Sequence, residues 1–355
     1  MREPTDVRRR RILGVVGARG PVRVTDLAAE LEVSVVTVRR DVEELAQAGQ
    51  VRRGHGVVRP VAPVDPKAAP PASGEGAVAL VVPERHTYLY EAVHGAREVL
   101  EEAGLRVALH IAPQVVGAER PIVDRILADG ARGLLIAPRW RSAEAEEADY
   151  AWLARAGVPT VLVERRPRRG SALHAVDSVC SDHWYGAQLA VEHLLSLGHR
   201  RILLAARDDS PTARALRAAF AGIVEARPEV EDWGVVLSAP DAGPGPGAEP
   251  VADFAEQVRD RGITGVLLHG DVEALMLVQN LVEHGIRVPE DCSVVAYDDV
   301  VAGLGSPPLT AVAPPKAEVG RVAAELLLRR LAGGTGTRRV ELSPELTVRG
   351  STMSV

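Results

Sequence analysis

The sequence predicts an α/β architecture in which a two-lobed body of two parallel-sheet sandwiches follows a small, mainly helical first domain. Three observations predict it. Short β-branched runs alternate with helix-period segments from residue 77 onward, a proline-rich tract cuts that body off from the first 60 residues, and the two parts carry opposite charge. Residues 1 to 60 hold 12 arginines and no lysine against 8 acidic residues, while the rest of the 355-residue chain holds 30 basic against 40 acidic ones. A polyanion partner suits the basic head and does not suit the acidic body.

Composition sets the outer bounds. With 46% apolar and 25% charged residues the chain is ordinary for a globular protein, and its length suggests two or three domains. No apolar run approaches the roughly 18 residues that span a bilayer, and no signal-type stretch follows Arg8, Arg9, Arg10 and Arg11, so a cytoplasmic protein without a membrane partner is expected. Cys180 and Cys292 stand far apart with no CxxC or Cys/His cluster. They are expected to be reduced core thiols, with no metal and no cofactor.

Along the head, Asp6 can cap a helix carrying Ile12, Leu13, Val15 and Val16, and Gly20-Pro21 stops it. Thr25 then caps a short second helix through Leu27, Ala28 and Leu31, and the turn Glu32-Val33-Ser34 leads to a third. Ser34 can cap that helix, in which Val38, Val42 and Leu45 face inward while Val35, Val36, Thr37, Arg39 and Arg40 face out, and Gly49 closes it. Gln50 to Pro60 reads as two short strands about a glycine turn, with Arg52, Arg53 and His55 available to phosphates or a minor groove. Cap, turn, helix and wing occurring together argue against a merely solvated charge run.

Pro60 to Gly76 holds five prolines in 17 residues and reads as a semi-rigid linker. The domain boundaries are therefore 1–59 for the head, 60–76 for the linker and 77–355 for the body. In the body, buried parallel strands are expected at 77–82, in LRVALHI, and at 133–137, 159–163, 202–206, 265–269 and 293–297. Val93/Ala96/Leu100/Ala103 and Ala187/Ala190/Leu194/Leu197 recur at helical spacing, and Gly104, Gly198 and Gly285 are placed for left-handed helix ends. Asp241 to Pro250 reads as a surface loop. So long an alternation favours two lobes with a cleft at the carboxyl ends of the strands: lobe 1 approximately 77–180 and 308–331, lobe 2 approximately 181–307 and 332–355.

Two resemblances follow from these residues. The segment LAAELEVSVVTVRRDVEELAQAGQVRRGHGVV resembles the winged helix-turn-helix of DeoR-type bacterial regulators, which implies that the third helix enters the major groove and presents Ser34, Thr37, Arg39 and Arg40 to operator DNA. LAVEHLLSLGHRRI, GIRVPEDCSVVAYDD, PPLTAVAPPKAEVGRVAAELLLRRL and SPELTVRGST resemble the periplasmic-binding-protein-like effector domain of LacI/GalR regulators. That resemblance implies a hinged cleft, a small-molecule effector of the sugar class, and a homodimer or tetramer.

By position in that pattern, Arg217, Asp298, Arg139 and Asp208 or Asp209 are the polar partners expected for a ligand. Tyr88, Tyr90, Trp140, Trp184 and Tyr297, five of only 11 aromatics, lie at predicted strand ends where rings can stack on a sugar; core packing is the alternative for each taken alone. The chain departs from the family in three places. It has Gly270-Asp271 for Asn-Asp, Thr87-Tyr88-Leu89 for an Asn-Pro-Phe-like turn, and Lys316 for an apolar residue near the hinge. Arg139 and Lys316 would suit an anionic sugar, or sit as exposed rim charges. The proline-rich linker also replaces the family's hinge helix, so ligand would act by closing the lobes and respacing paired heads.

The function expected is a ligand-responsive transcriptional regulator, a repressor of carbohydrate-utilisation genes that binds a palindromic operator. A constitutive DNA-binding dimer with a ligand-blind body is the alternative. An enzyme with a DNA-binding head is disfavoured, because neither GxGxxG after the first strand nor a Walker or GxSxG motif occurs, and Asp298-Asp299 can simply cap a loop.

Overall fold

The computed structural model describes residues 8–9, 11–12, 15, 22–31, 33–47, 51–54, 57–60, 76–84, 87–113, 115–238 and 254–355. The expectations for Asp6, Leu13, Val16, Gly20-Pro21, Gly49, His55, the linker from 61 to 75 and the loop at 241–250 lie outside them. The chain divides into two compact units, Met1–Pro70 and Pro71–Val355.

In the first unit, helical residues at 8–9, 11–12 and 15 precede β1 (Val22–Arg23), α1 (Val24–Glu30), α2 (Val35–Gln47), β2 (Val51–Gly54) and β3 (Val57–Pro60). The strands form an antiparallel sheet in the order β1-β3-β2. Ile12, Leu27, Ala28, Leu31, Val38, Val42, Leu45 and Val58 close a single small core. The inward stripe Val38/Val42/Leu45 is as the spacing predicts.

The second unit holds β4 (Val78–Pro83), α3 (Thr87–Glu102), β5 (Val107–Ala112), α4 (Glu119–Ala128), β6 (Gly133–Ile136), α5 (Ala143–Leu153), β7 (Thr160–Val163) and β8 (Asp177–Ser181). It continues with α6 (His183–Ser196), β9 (Arg201–Ala206), α7 (Pro211–Glu225), β10 (Asp232–Leu237), α8 (Phe254–Asp260), β11 (Gly265–His269), α9 (Asp271–Glu283) and β12 (Ser293–Tyr297). β13 (Thr310–Ala313), α10 (Lys316–Leu331), β14 (Arg339–Leu342) and β15 (Glu345–Thr347) complete it. One six-stranded sheet runs β14-β8-β7-β6-β4-β5, parallel throughout; the other runs β10-β9-β11-β12-β13-β15, with β15 antiparallel.

Each sheet is covered on both faces, which is why its strands read as continuous apolar runs. Leu80 and Leu135 pack with Val319 and Ala323 on one face of the first sheet, while Val81 and Leu134 pack with Val123 and Ile126 on the other. The second sheet splits the same way, Leu203 and Leu268 against Ile202 and Leu267. Helices α3 and α10 meet so closely that a Cβ at Gly320 would collide with the Ala92 carbonyl and one at Gly95 with that of Ala317. Gly104, Gly198 and Gly285 end helices at positive φ, as expected.

The division of the lobes differs from expectation at its second and third crossings. β13 pairs with β12 in the second sheet, so residues 310–313 belong to lobe 2; β14 pairs with β8 in the first, so 339–342 belong to lobe 1. The reason is electrostatic. The fully buried carboxylate of Asp177, on β8, accepts from Arg329 and Arg330 and from the backbone N–H of Arg338, which draws the start of β14 onto that edge. The strands β8, β10, β13, β14 and β15 gave no apolar run long enough to be expected. Both thiols are free and buried.

Candidate functional site

In the head, Ser34 caps α2 as expected: its hydroxyl accepts the Thr37 N–H at 3.1 Å and lies 2.8 Å from the Thr37 hydroxyl. Thr25 does not cap α1. The helix begins two residues earlier, with Arg23 at the N-cap, and the Thr25 hydroxyl donates instead to Asp26. Ser34, Val36, Arg39 and Arg40 are exposed and Val35 and Thr37 half-buried. Val36 is 74% exposed, so a bare apolar side chain sits among arginines. Asp41, 2% exposed, takes ion pairs from Arg8 and Arg9 and so ties the first helical residues to α2. Sequence reasoning missed it, since nothing local separates a buried aspartate from its exposed neighbours. Arg52 and Arg53 lie on β2, and their side chains lie outside the described residues.

In the second unit, side chains from both sheets converge at the carboxyl ends of the strands. Arg139 and Arg141, after β6, reach Asp209, each at 3.5 Å. Asp209 is held from its own lobe by Arg207 through two bonds of 2.9 Å, and Arg207 also pairs with Glu273 at 3.1 Å. Those guanidinium bonds outweigh burial and hold the Asp209 carboxyl down to about 2. Arg214 crosses from α7 to the Trp140 carbonyl at 2.9 Å and to Glu146 at 3.2 Å.

Deeper in the cleft, the Tyr88 hydroxyl donates to Glu164 at 2.6 Å and lies 3.0 Å from Ser181. Glu164, 3% exposed, also lies 3.7 Å from His183, whose Nδ1 is 3.0 Å from the hydroxyl of the fully buried Tyr297. Burial holds His183 below the usual imidazole range, and it holds His269 down to about 3 beside His183 and Arg207. Arg165, lowered to about 10 by burial, is pinned behind Glu164 by the carbonyls of Pro138 and Glu164. Trp140, Glu164, Asp298 and Asp299, each within four residues of a strand's carboxyl end, all adopt positive φ. Such backbone strain gathers at functional sites.

The expected residues fall into distinct groups. Arg139, Asp209, Tyr88, Asp298 and Arg217 stand at the cleft, Arg217 with a single contact of 3.4 Å to the Ala206 carbonyl. Burial, with Asp271 nearby, pushes the Asp298 carboxyl well above the usual range. Trp140 is a correction: at 3% exposure its ring packs edge-on against Tyr150 and donates to Asp149, so it belongs to the core of lobe 1. Asp271 is another. Its buried carboxylate accepts the backbone N–H groups of Asp299, Val300, Val301 and Ala302, so it, and not Asp298-Asp299, caps that loop, while Asp299 pairs with Arg349.

Lys316 is neither a rim charge nor free for an anion: 5% exposed, it donates to the Asp298 carbonyl and lies 5.6 Å above the Tyr88 ring. Asp208 is exposed, as are Tyr90 and Trp184. Glu164, Ser181, His183, His269, Arg207 and Glu273 were missed. Arg207, Glu164 and His269 had a signal, their place at or directly after an expected strand; Ser181, His183 and Glu273 had none, and the set comes together because β7 and β8 end side by side in one sheet and β9 and β11 in the other.

A model of the DeoR-like helix-turn-helix domain matches residues 8–63, and one of the periplasmic binding protein-like domain matches 191–352. The chain is 28% identical to the arabinose metabolism transcriptional repressor of Halalkalibacterium halodurans, over 96% of this chain and 92% of that one. It is 31% identical to an uncharacterised HTH-type transcriptional regulator in the aml 5' region of Streptomyces limosus, over 78% and 79%. In fold it is similar to the Lac repressor dimer bound to operator (TM-score 0.65, 23% identity, 79% of this chain and 95% of that one). A LacI family regulator from Enterococcus faecium with bound ribose is similar to it as well (TM-score 0.62, 23% identity, 79% and 99%). The chain belongs to the HTH-type transcriptional regulators, with a DeoR-like helix-turn-helix match ahead of a match to the periplasmic binding protein-like domain.

Proposed function

We propose that the protein is a cytoplasmic, sugar-responsive repressor of carbohydrate-utilisation genes. Its head, 1–59, binds a palindromic operator through Val36, Thr37, Arg39 and Arg40 of α2, with Ser34 setting the helix start and Thr25, Val35, Arg52, Arg53 and His55 in support. An exposed valine flanked by arginines suits thymine methyls beside phosphates. The linker, 60–76, joins it to the effector domain, 77–355, whose cleft takes a sugar among Tyr88, Arg139, Asp209, Arg217 and Asp298.

The observation that carries this reading is the cleft itself: polar groups of both lobes meet there, so a ligand that bridges them changes the closure equilibrium, a route by which binding is felt elsewhere. The arabinose repressors, similar along nearly the whole chain, make L-arabinose the first sugar to try. Assembly as a dimer suits the exposed Val272 and Met276, one turn apart on α9. The test is a thermal-shift panel of pentoses, hexoses, disaccharides, sugar acids and sugar phosphates, followed by operator-binding assays with any hit. A sugar that raises the melting point and alters operator affinity supports the reading; operator binding indifferent to every compound favours a ligand-blind dimer.

A further inference from the structure

Two of the side chains that tie the lobes together, Arg214 and Arg141, stand outside the expected ligand set. The chain itself passes between the lobes at three places, from β8 to α6, from β13 to α10 and from β14 to β15. The loop after β6 and the first turn of α7 take part in none of them, so what joins those two segments is noncovalent. Arg214 leaves the first turn of α7, which Ser210 caps by accepting the Ala213 N–H and Pro211 opens. It donates across the cleft to the Trp140 carbonyl at 2.9 Å and to Oε2 of Glu146 at 3.2 Å.

The receiver of that guanidinium is held by lobe 1 alone. The Trp140 ring is fixed edge-on to Tyr150 and by its bond to Asp149, and the Tyr150 hydroxyl donates to Oε1 of Glu146, which leaves Oε2 for Arg214. Glu146 is 7% exposed, and among the described residues its one ion pair is the one with Arg214. A buried carboxylate is costly without a counter-charge, so lobe 1 carries a charge whose match sits on lobe 2. Arg141 adds a second tie, to Asp209 at 3.5 Å. We propose that Arg214 and Arg141 form a strap that sets the balance between closed and open lobes from outside the ligand set. The chain then supplies part of the closure free energy itself, and a ligand adds its own differential affinity to that preset ratio. The strap does not depend on which ligand enters the cleft; only its consequence for operator affinity rests on the effector reading.

The experiment is a distance measurement between spin labels placed at Ala148→Cys on α5 and Ala218→Cys on α7, both exposed, in the full chain with no sugar added; the native thiols are buried. Singly labelled chains identify any distance between copies. Arg214→Gln is expected to shift the ratio of long to short separations about tenfold toward the long, the scale of one charge-assisted hydrogen bond. Arg141→Gln shifts it less, because Arg141 is 47% exposed, and the two substitutions together shift it most. Arg214→Lys, which keeps the charge without the planar fork, restores part of the short population, a rescue that packing within lobe 2 would not give. Should the double variant fail to fold, the single variants decide. Longer separations with unchanged operator affinity uphold the strap and remove lobe closure from the route to DNA. Unchanged separations in Arg214→Gln overturn the strap and leave the effector reading as it was.

Discussion

The head and the cleft present the same kinds of side chain in opposite arrangements. The head's proposed contact surface is the exposed face of a 13-residue helix, α2, with Val36, Arg39 and Arg40 exposed on it and Ser34 exposed at its cap. The cleft draws its surface from the ends of β6, β7, β8, β9, β11 and β12, and its charges are largely spent on one another: Arg139, Arg141 and Arg207 on Asp209, and Lys316 on a carbonyl. A polyanion is reached by long-range attraction, and exposure costs the arginines little. A small ligand must be wrapped, so each polar group around it needs a partner before the ligand comes. Binding DNA asks for charge on display, and binding a small molecule asks for charge already balanced.

The sharpest break in this comparison lies inside the head. Asp41 is the head's one described buried carboxylate and holds Arg8 and Arg9 against α2. Asp41→Ala removes the buried carboxylate that Arg8 and Arg9 share, a loss of about 4 kcal/mol for a buried ion pair and enough to unfold so small a core. Operator binding should vanish while the melting transition of the effector domain and its ligand affinity stay unchanged. Differential scanning calorimetry and a gel-shift assay separate the two.

The matching break in the body is Asp271→Ala. Its carboxylate serves four backbone N–H groups of the loop after β12, and removing it should cost about 3 kcal/mol of effector-domain stability. DNA binding by the head at low temperature should survive. Acid distinguishes the units as well. His269, held at about 3, stays neutral in the fold while an unfolded chain takes up a proton below about pH 6.5, so stability falls as pH falls, by about 2 kcal/mol at pH 5. His269→Asn should flatten that part of a melting-temperature profile recorded between pH 7 and pH 5.

How much of this was legible follows from the same contrast. Cap, stripe and outward face of α2 are spaced at 1, 3 and 4 residues along one segment, so Ser34, Val38, Val42, Val36, Arg39 and Arg40 could be assigned by helical period alone. The parallel strands with long apolar runs were equally plain. The cleft was not: Glu164 and His269 stand at or just after expected strands, but their meeting with His183 depends on sheet order, which no local pattern gives. Trp140 looked like a ligand ring by its place after β6 and is core because Tyr150 and Asp149 fold back over it. Lys316 looked like a loose cation because its carbonyl partner lies 18 residues away on another strand's end.

The smallest expected effect sharpens the comparison most directly. Arg39 is exposed on α2, so Arg39→Ala removes nothing from the core and should leave melting temperature and sugar affinity as they are. Operator affinity should fall by about 1 to 3 kcal/mol. Salt dependence then tells what the side chain touches: a phosphate contact lowers the slope of log affinity against log salt by about one and weakens all sequences alike, whereas a base contact keeps the slope and relaxes specificity at one operator position. A variant that keeps full operator affinity would remove this face of α2 from the interface. Such a result would leave Val36, bare and apolar among arginines, without the partner that its exposure demands.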